Sequence, residues 1–294
     1  MNRRDDEPEA TTIGELLARH DGLLLDAYGV LVDAEGLLPG ARELLAHLAQ
    51  RQVPYAIVTN DASRSQATYA RRFAGYGITI EPTRFVTSGS LLPGYIREAG
   101  LVGARACVLG TADSRQFVID GGAVPVSLAP GLDIDAVIVC DDDGFPFLEG
   151  MELALSAAIR AMEAGRRPAL ILPNPDLVYP KGGGDLGLTA GTIGLVIETV
   201  LQRRFPGAGL AFVRLGKPEP HLFREGARVL GVPLDRLVMI GDQLETDIAG
   251  ARAAGVAAAL VAGVSRWEHA HAVTDIVPRY RLDGLQLEAA VSRG

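Results

Sequence analysis

The sequence predicts an α/β fold, with parallel strands, covering helices and two domains. Three observations carry this. Leu23-Leu24-Leu25 reads as a short, fully buried strand that stops at Asp26. Short apolar runs alternate with stretches of helical period, the pattern of right-handed crossovers between parallel strands. The chain has 294 residues, 48% of them hydrophobic, which suffices for two cores.

Residues 1–12 are charged and contain proline, and are expected to form a disordered tail. Ile13–Arg19 reads as a short helix. The Leu23–Leu25 strand follows, Gly29 turns the backbone, and Val30-Leu31-Val32 is expected to resume an extended run towards a hairpin tip at Asp33–Gly36. Ala41–Arg51 places Leu44, Leu45 and Leu48 at helical spacing. Val53–Val58 is a second buried strand ending at Thr59-Asn60-Asp61. Ser63 is expected to cap a helix to about Gly75, and Phe85–Thr87 is a third strand.

A second series starts near Ser88. Strands are expected at Ala106–Leu109, Val124–Val126, Ala136–Cys140 and Ala169–Leu172, with helices at Leu91–Ala99, Ser114–Asp120, Met151–Ala164 and Thr189–Arg204. The Asn174-Pro175-Asp176 turn leads into a glycine-rich loop at Tyr179–Gly184, and Phe205–Gly209 reads as a return linker. The first theme then resumes. Strands fall at Ala211–Arg214, Leu237–Ile240, Ala258–Val261 and Tyr280–Leu282, with helices at Pro220–Leu230, Thr246–Ala254 and Leu285–Val291. The division expected is a tail over 1–12, a core from 13–87 and 210–294, and an inserted domain over 88–209.

A net charge of −8 argues against a general nucleic-acid surface. No apolar stretch is long enough to span a bilayer, and the polar first twelve residues do not resemble a signal peptide, so a cytoplasmic protein is expected. Cys107 and Cys140 lie in apolar runs and read as small buried hydrophobes. Only Lys181 and Lys217 among the 28 basic Lys and Arg residues are lysines, so each invites a reason.

Four strand ends carry polar groups: Asp26, Thr59-Asn60, Lys217 and the run Gly241–Asp247. Neighbouring parallel strands would open them onto one edge, where α/β folds bind ligands. Together they offer a carboxylate nucleophile, a hydroxyl and an amide for phosphate oxygens, a cation and an acidic pair. A carboxylate meets a phosphate as one anion meets another. Mg²⁺ shared by Asp26, Asp242 and the backbone oxygen of Tyr28 would remove that repulsion, with Asp247 orienting its waters. Lys217 would offset charge on Asp26 and on the phosphoryl group, while Thr59 and Asn60 hold its oxygens. Each signal alone also fits a plainer role. Thr59-Asn60 and Asp242/Asp247 could cap helices, Lys217 could be solvated, Asp176 could serve only its turn, and Asp141–Asp143 could be a solvated loop. His221 and the pair His269/His271 are spaced too loosely for a metal site.

These residues resemble the haloacid dehalogenase superfamily of hydrolases, specifically subfamily IIA, from about residue 20 onwards. Asp26 matches the nucleophile, Thr59 the second motif, Lys217 the third, and Asp242 with Asp247 the acidic fourth. Thr59–Ser65, Gly216-Lys217-Pro218 and Asn174-Pro175-Asp176 are close to the subfamily's wording. The resemblance implies a Rossmann-like parallel-sheet core with an inserted α/β cap over 88–209. It implies a Mg²⁺-dependent phosphatase acting on a small phosphorylated metabolite through an aspartyl-phosphate. Asp176 joins Thr59, Asn60 and Lys217 as substrate- or phosphate-binding, and cap-mediated homodimers occur in this branch.

One position departs from the pattern. Family phosphatases carry a second Asp two residues after the nucleophile, as acid and base; here it is Tyr28, whose ordinary pKa of about 10 makes a poor base at neutral pH. Asp61 and Asp33 are conceivable substitutes. Two alternatives follow: a non-catalytic protein that binds a phosphorylated ligand, and halide displacement as in 2-haloacid dehalogenases, whose opening Asp-Ala-Tyr-Gly is similar.

Overall fold

The computed structural model describes residues 7–261 and 275–287. His269 and His271, and the end of the helix expected at Leu285–Val291, lie outside those residues. Two compact units account for the described residues. Unit 1 takes the chain up to Thr59, Ala70–Val86 and the part from Lys217 onwards; unit 2 takes Asn60–Tyr69 and Thr87–Gly216.

In chain order the first elements are β1 (Glu9–Ala10), α1 (Ile13–Arg19), β2 (Gly22–Leu25), α2 (Ala41–Gln50), β3 (Tyr55–Thr59), α3 (Gln66–Gly75) and β4 (Phe85–Thr87). Glu9–Ala10, expected in a disordered tail, instead pairs in parallel with Tyr280–Arg281. Thr12 and Glu15 form a reciprocal capping box that starts α1. Val30-Leu31-Val32 does not run extended. Leu31 and Val32 both donate to the Ala27 carbonyl, which makes 27–32 a tight turn. The cap of α3 is Ser65, whose Oγ accepts from Thr68 N at 3.2 Å. Ser63 is unavailable for that role because it donates to Asp61.

Unit 2 continues with α4 (Leu92–Glu98), β5 (Arg105–Leu109), α5 (Ala112–Asp120), β6 (Val124–Pro125), β7 (Ala136–Val139), α6 (Phe147–Glu163), β8 (Ala169–Leu172), β9 (Val178–Gly182), β10 (Asp185–Leu188), α7 (Ala190–Arg204) and β11 (Val213–Arg214). Its sheet runs β11-β8-β7-β5-β6, parallel throughout. The glycine-rich stretch expected as a loop is an antiparallel β9–β10 hairpin. Residues 210–216, expected with the core, fall in unit 2 because β11 pairs with β8. Residues 60–69 fall there too. Cys107 and Cys140 are both buried, in two different apolar clusters of this unit.

Unit 1 closes with α8 (His221–Leu230), β12 (Leu237–Gly241), a π-helical turn over Leu244–Ile248, α9 (Ala249–Ala254), β13 (Ala257–Val261) and β14 (Tyr280–Leu282). Its sheet runs β1-β14-β13-β12-β2-β3-β4. All residues of β2, β3 and β12 are buried, as apolar strands covered on both faces must be. Ile240 pairs with Leu25, and Leu25 with Ile57, so β12 and β3 run one and two residues past the end of β2. Among the described residues, no helix is long and apolar enough to cross a membrane.

Candidate active site

The neighbouring carboxyl ends of β12, β2 and β3 set the site in unit 1. The ladder extends one residue past β2, because Asp26 N donates to the Ile240 carbonyl at 2.9 Å. This holds the Asp26 backbone rigidly at the sheet's carboxyl edge. Asp242 follows β12 directly, and Thr59 ends β3. Lys217 arrives just before α8.

Lys217 Nζ donates to Asp26 Oδ1 at 2.7 Å and to Asp247 Oδ1 at 2.6 Å, with the Val58 carbonyl at 3.4 Å. All three charged side chains are buried: Lys217 is 3% exposed, Asp26 6% and Asp247 0%. Such charges are tolerated only when paired and hydrogen-bonded. Asp247 is held by the π-helical turn, in which both Asp247 N and Ile248 N donate to the Gln243 carbonyl. Its Oδ2 accepts from the backbone of Asp242 at 3.2 Å and of Gln243 at 3.1 Å.

Burial pushes the Asp26 carboxyl up to about 7; Lys217 pulls it back and Asp247 adds to the rise. Burial pushes Asp242 well above the carboxylate range, and the charges of Asp247 and Asp26 push it further. For Lys217, burial pulls downward, but Asp247 and Asp26 outweigh it and hold the ammonium above its ordinary value. Three carboxylates thus share one ammonium, which leaves room for more positive charge. Oxygens of Asp26, Asp242 and Asp247 lie within 4.8 Å of one another. Asp242 Oδ1 is buried without a hydrogen-bond partner. Hard carboxylate oxygens, one of them orphaned, fit a divalent cation such as Mg²⁺.

Gly29 makes that geometry possible. Its φ is +92°, and a Cβ there would stand 2.3 Å from Asp242 Oδ2. Gly29→Ala is expected to displace Asp242, weakening Mg²⁺ binding on the order of 10-fold and costing about 1–3 kcal/mol of stability from backbone strain. Calorimetric Mg²⁺ titration and urea unfolding check the two effects. The sequence marks Gly29 as a turn, but its contact with a carboxylate more than 200 residues away exists only in the fold.

The structure brings Asp26, Lys217, Asp242 and Asp247 together in unit 1. Tyr28, half-buried, lies in the turn just after Asp26. Asn60 and Asp176 meet in unit 2, where Asn60 Nδ2 donates to Asp176 Oδ1 at 2.8 Å. The two substitutes for a second carboxylate are otherwise engaged. Asp33 Oδ1 accepts the amides of Glu35 and Gly36 as a turn cap. Asp61 accepts from Ser63 N and Oγ, from Arg64 and from Tyr69 OH. Asp141, expected in a solvated loop, is half-buried, and burial pushes its carboxyl up to about 7.

Two family profiles match: haloacid dehalogenase-like hydrolase over residues 23–123 and HAD-hydrolase-like over residues 214–286. Glycerol-3-phosphate phosphatase of Gallus gallus is 29% identical, covering 96% of this chain and 95% of its own length. The crystal structure of a possible sugar phosphatase of the HAD superfamily from Cytophaga hutchinsonii superposes with a TM-score of 0.82 at 28% identity, covering 96% of this chain and 99% of its own. That of a Mycobacterium tuberculosis glycerol phosphate phosphatase in complex with magnesium gives 0.74 at 25% identity, covering 94% and 78%.

Proposed function

Because the chain belongs to the haloacid dehalogenase-like hydrolases, in subfamily IIA, we propose that it is a Mg²⁺-dependent phosphatase whose nucleophile is Asp26. Hydrolysis of phosphate monoesters is the chemistry of its relatives, which include an acid sugar phosphatase and a 5′-nucleotidase. The observation that carries the reading is the Lys217 ammonium, buried between Asp26 and Asp247. No structural need explains such a costly arrangement in a core that could have been apolar.

Asp26, Asp242 and the Tyr28 backbone oxygen would hold Mg²⁺, with Asp247 completing the acidic set. Bound there, the cation supplies the charge neutralisation that lets a carboxylate approach a phosphate. Lys217 fixes Asp26 Oδ1, which leaves Oδ2 to attack. The Asp26–phosphorus bond forms as the ester P–O bond breaks, and the alcohol leaves. Water then cleaves the aspartyl-phosphate, releasing phosphate and restoring Asp26. Thr59 and Lys217 hold the phosphoryl oxygens throughout. The cap in this reading is Thr87–Gly216, the larger part of unit 2.

The departing oxygen needs a proton, and Tyr28 is a weak donor where the family carries an Asp. The enzyme therefore favours acyl and aryl phosphates, whose leaving groups need little help. A metabolite-phosphate panel with and without Mg²⁺, with Asp26→Asn as the blank, tests the proposal; turnover insensitive to Mg²⁺ or retained in the blank overturns it. Tyr28→Asp is expected to raise turnover of alkyl phosphates by about 10²-fold or more, flattening the dependence of rate on leaving-group pKa. An unchanged rate would show that another group already supplies the proton.

Stability should report the cation as well. Between about pH 4 and pH 7 the metal-free native protein holds a proton on Asp26 that the unfolded chain releases. Stability in that window therefore falls as pH rises, and Mg²⁺ takes over from the proton. The Mg²⁺-induced rise in Tm is expected to be small at pH 5 and large at pH 8. A rise of equal size at both would place the bound ion elsewhere.

A further inference from the structure

Asp176 is expected from the sequence to contact substrate. Its surroundings in unit 2 assign it different work. Its carboxylate Oδ1 accepts from Asn60 Nδ2 at 2.8 Å. The turn that carries it is tied down: Asp176 N donates to Asn174 Oδ1 at 3.1 Å, and Gly191 N donates to the Asp176 carbonyl at 2.9 Å. Asn174 in turn donates to Thr189 Oγ1 at 3.2 Å.

Asn60 is gripped from two further sides. Its carbonyl accepts from Ser88 Oγ at 2.6 Å. Its Oδ1 rests against Gly216, where a Cβ would come within 2.6 Å of that oxygen and of the Pro173 carbonyl. Gly216 N also donates to the Pro173 carbonyl at 2.9 Å. The Asn60 amide is therefore wedged between the Asp176 carboxylate and the Gly216 backbone. Asn60 is joined covalently to Thr59, and Gly216 to Lys217. A carboxylate placed directly on a phosphate would repel it, whereas one that fixes a neutral amide adds order without that penalty.

We propose that Asp176 is a positioning residue: through the Asn60 amide it locks residues 60 and 216 against each other, and so sets where the chain delivers Thr59 and Lys217. This rests on the phosphatase reading, in which Thr59 and Lys217 act on the phosphoryl group. The clamp needs an acceptor at position 176, not a charge.

The test uses the full chain with Asp176→Leu, Asp176→Asn and Gly216→Ala. Hydrogen exchange, read without substrate, follows peptides spanning 57–64 and 213–220. Asp176→Leu is expected to speed exchange in both peptides together by about 10-fold, and Gly216→Ala, which crowds the amide from its other side, to do the same. Asp176→Asn keeps the acceptor and is expected to stay near wild type. In turnover, Asp176→Leu should lower kcat on the order of 10–100-fold with KM changed less than about 3-fold, and Asp176→Asn should restore most of it. Unchanged exchange in Asp176→Leu overturns the clamp. So does an Asp176→Asn variant as impaired as Asp176→Leu, which remains decisive if the leucine variant does not fold. A raised KM with intact kcat would return Asp176 to substrate contact. A wild-type protein inert on every phosphate ester would defeat the phosphatase reading, and the exchange data would still decide the clamp.

Discussion

Lys217→Met leaves two buried carboxylates facing each other across a missing cation, and is expected to cost about 3–5 kcal/mol of unfolding stability. Lys217 bonds both Asp26 and Asp247 while only 3% exposed, so no solvent can take its place. The loss should be greater at pH 8 than at pH 5, because Asp26, with its carboxyl pushed up to about 7, can take a proton at the lower pH and shed its charge. Urea unfolding in metal-free buffer at the two pH values checks both statements. Adding Asp247→Asn to the variant should restore part of the stability, since it removes one of the stranded charges. A loss of less than about 1 kcal/mol, the range of a surface ion pair, would mean the lysine is not the counterion the geometry makes it.

Asp26→Asn is expected to reduce turnover of an aryl phosphate on the order of 10⁴-fold or more, since loss of a nucleophile leaves only binding and electrostatics. The substitution is nearly isosteric, keeps an oxygen for Lys217 and leaves β2 and its ladder bond intact. Its fold should survive, and far-ultraviolet circular dichroism with a thermal scan verifies that. The second readout is covalent. Wild-type protein quenched in acid during turnover should carry a phosphoryl mass on the peptide containing Asp26, and the variant none. Substantial residual turnover, or phosphate found on another peptide, would remove Asp26 from the centre of the reaction.

Much of this was legible in the chain, and the reasons are physical. Buried parallel strands announce themselves as short apolar runs, so β2, β3, β8 and β12 fall within about two residues of where the pattern puts them. Polar residues at the ends of such runs are conspicuous, and Asp26, Lys217, Asp242 and Asp247 do converge. Local alternation says less about which sheet a short strand joins. Ala211–Arg214 reads like a core strand, yet its two-residue remnant pairs with β8 because the chain has not yet left unit 2. The Gly182–Gly184 run hides a hairpin, since glycines mark both loops and tight reversals. Asp61 and Asp33 look like spare carboxylates in the sequence; only hydrogen-bond partners show that each is consumed by its own turn.

The position of β12 beside β2 has a consequence for how the protein is made. A ribosome that has released β2 and β3 must still add some 180 residues before β12 arrives to cover the other edge of β2. Until then Leu23, Leu24 and Leu25 present an unpaired apolar border, the kind of surface that recruits other chains. A fragment ending before residue 237 would keep its nucleophile yet lack the strand that braces it, and it is expected to aggregate rather than to fold into a slower enzyme. The strands that frame the chemistry lie far apart in the sequence and must meet late.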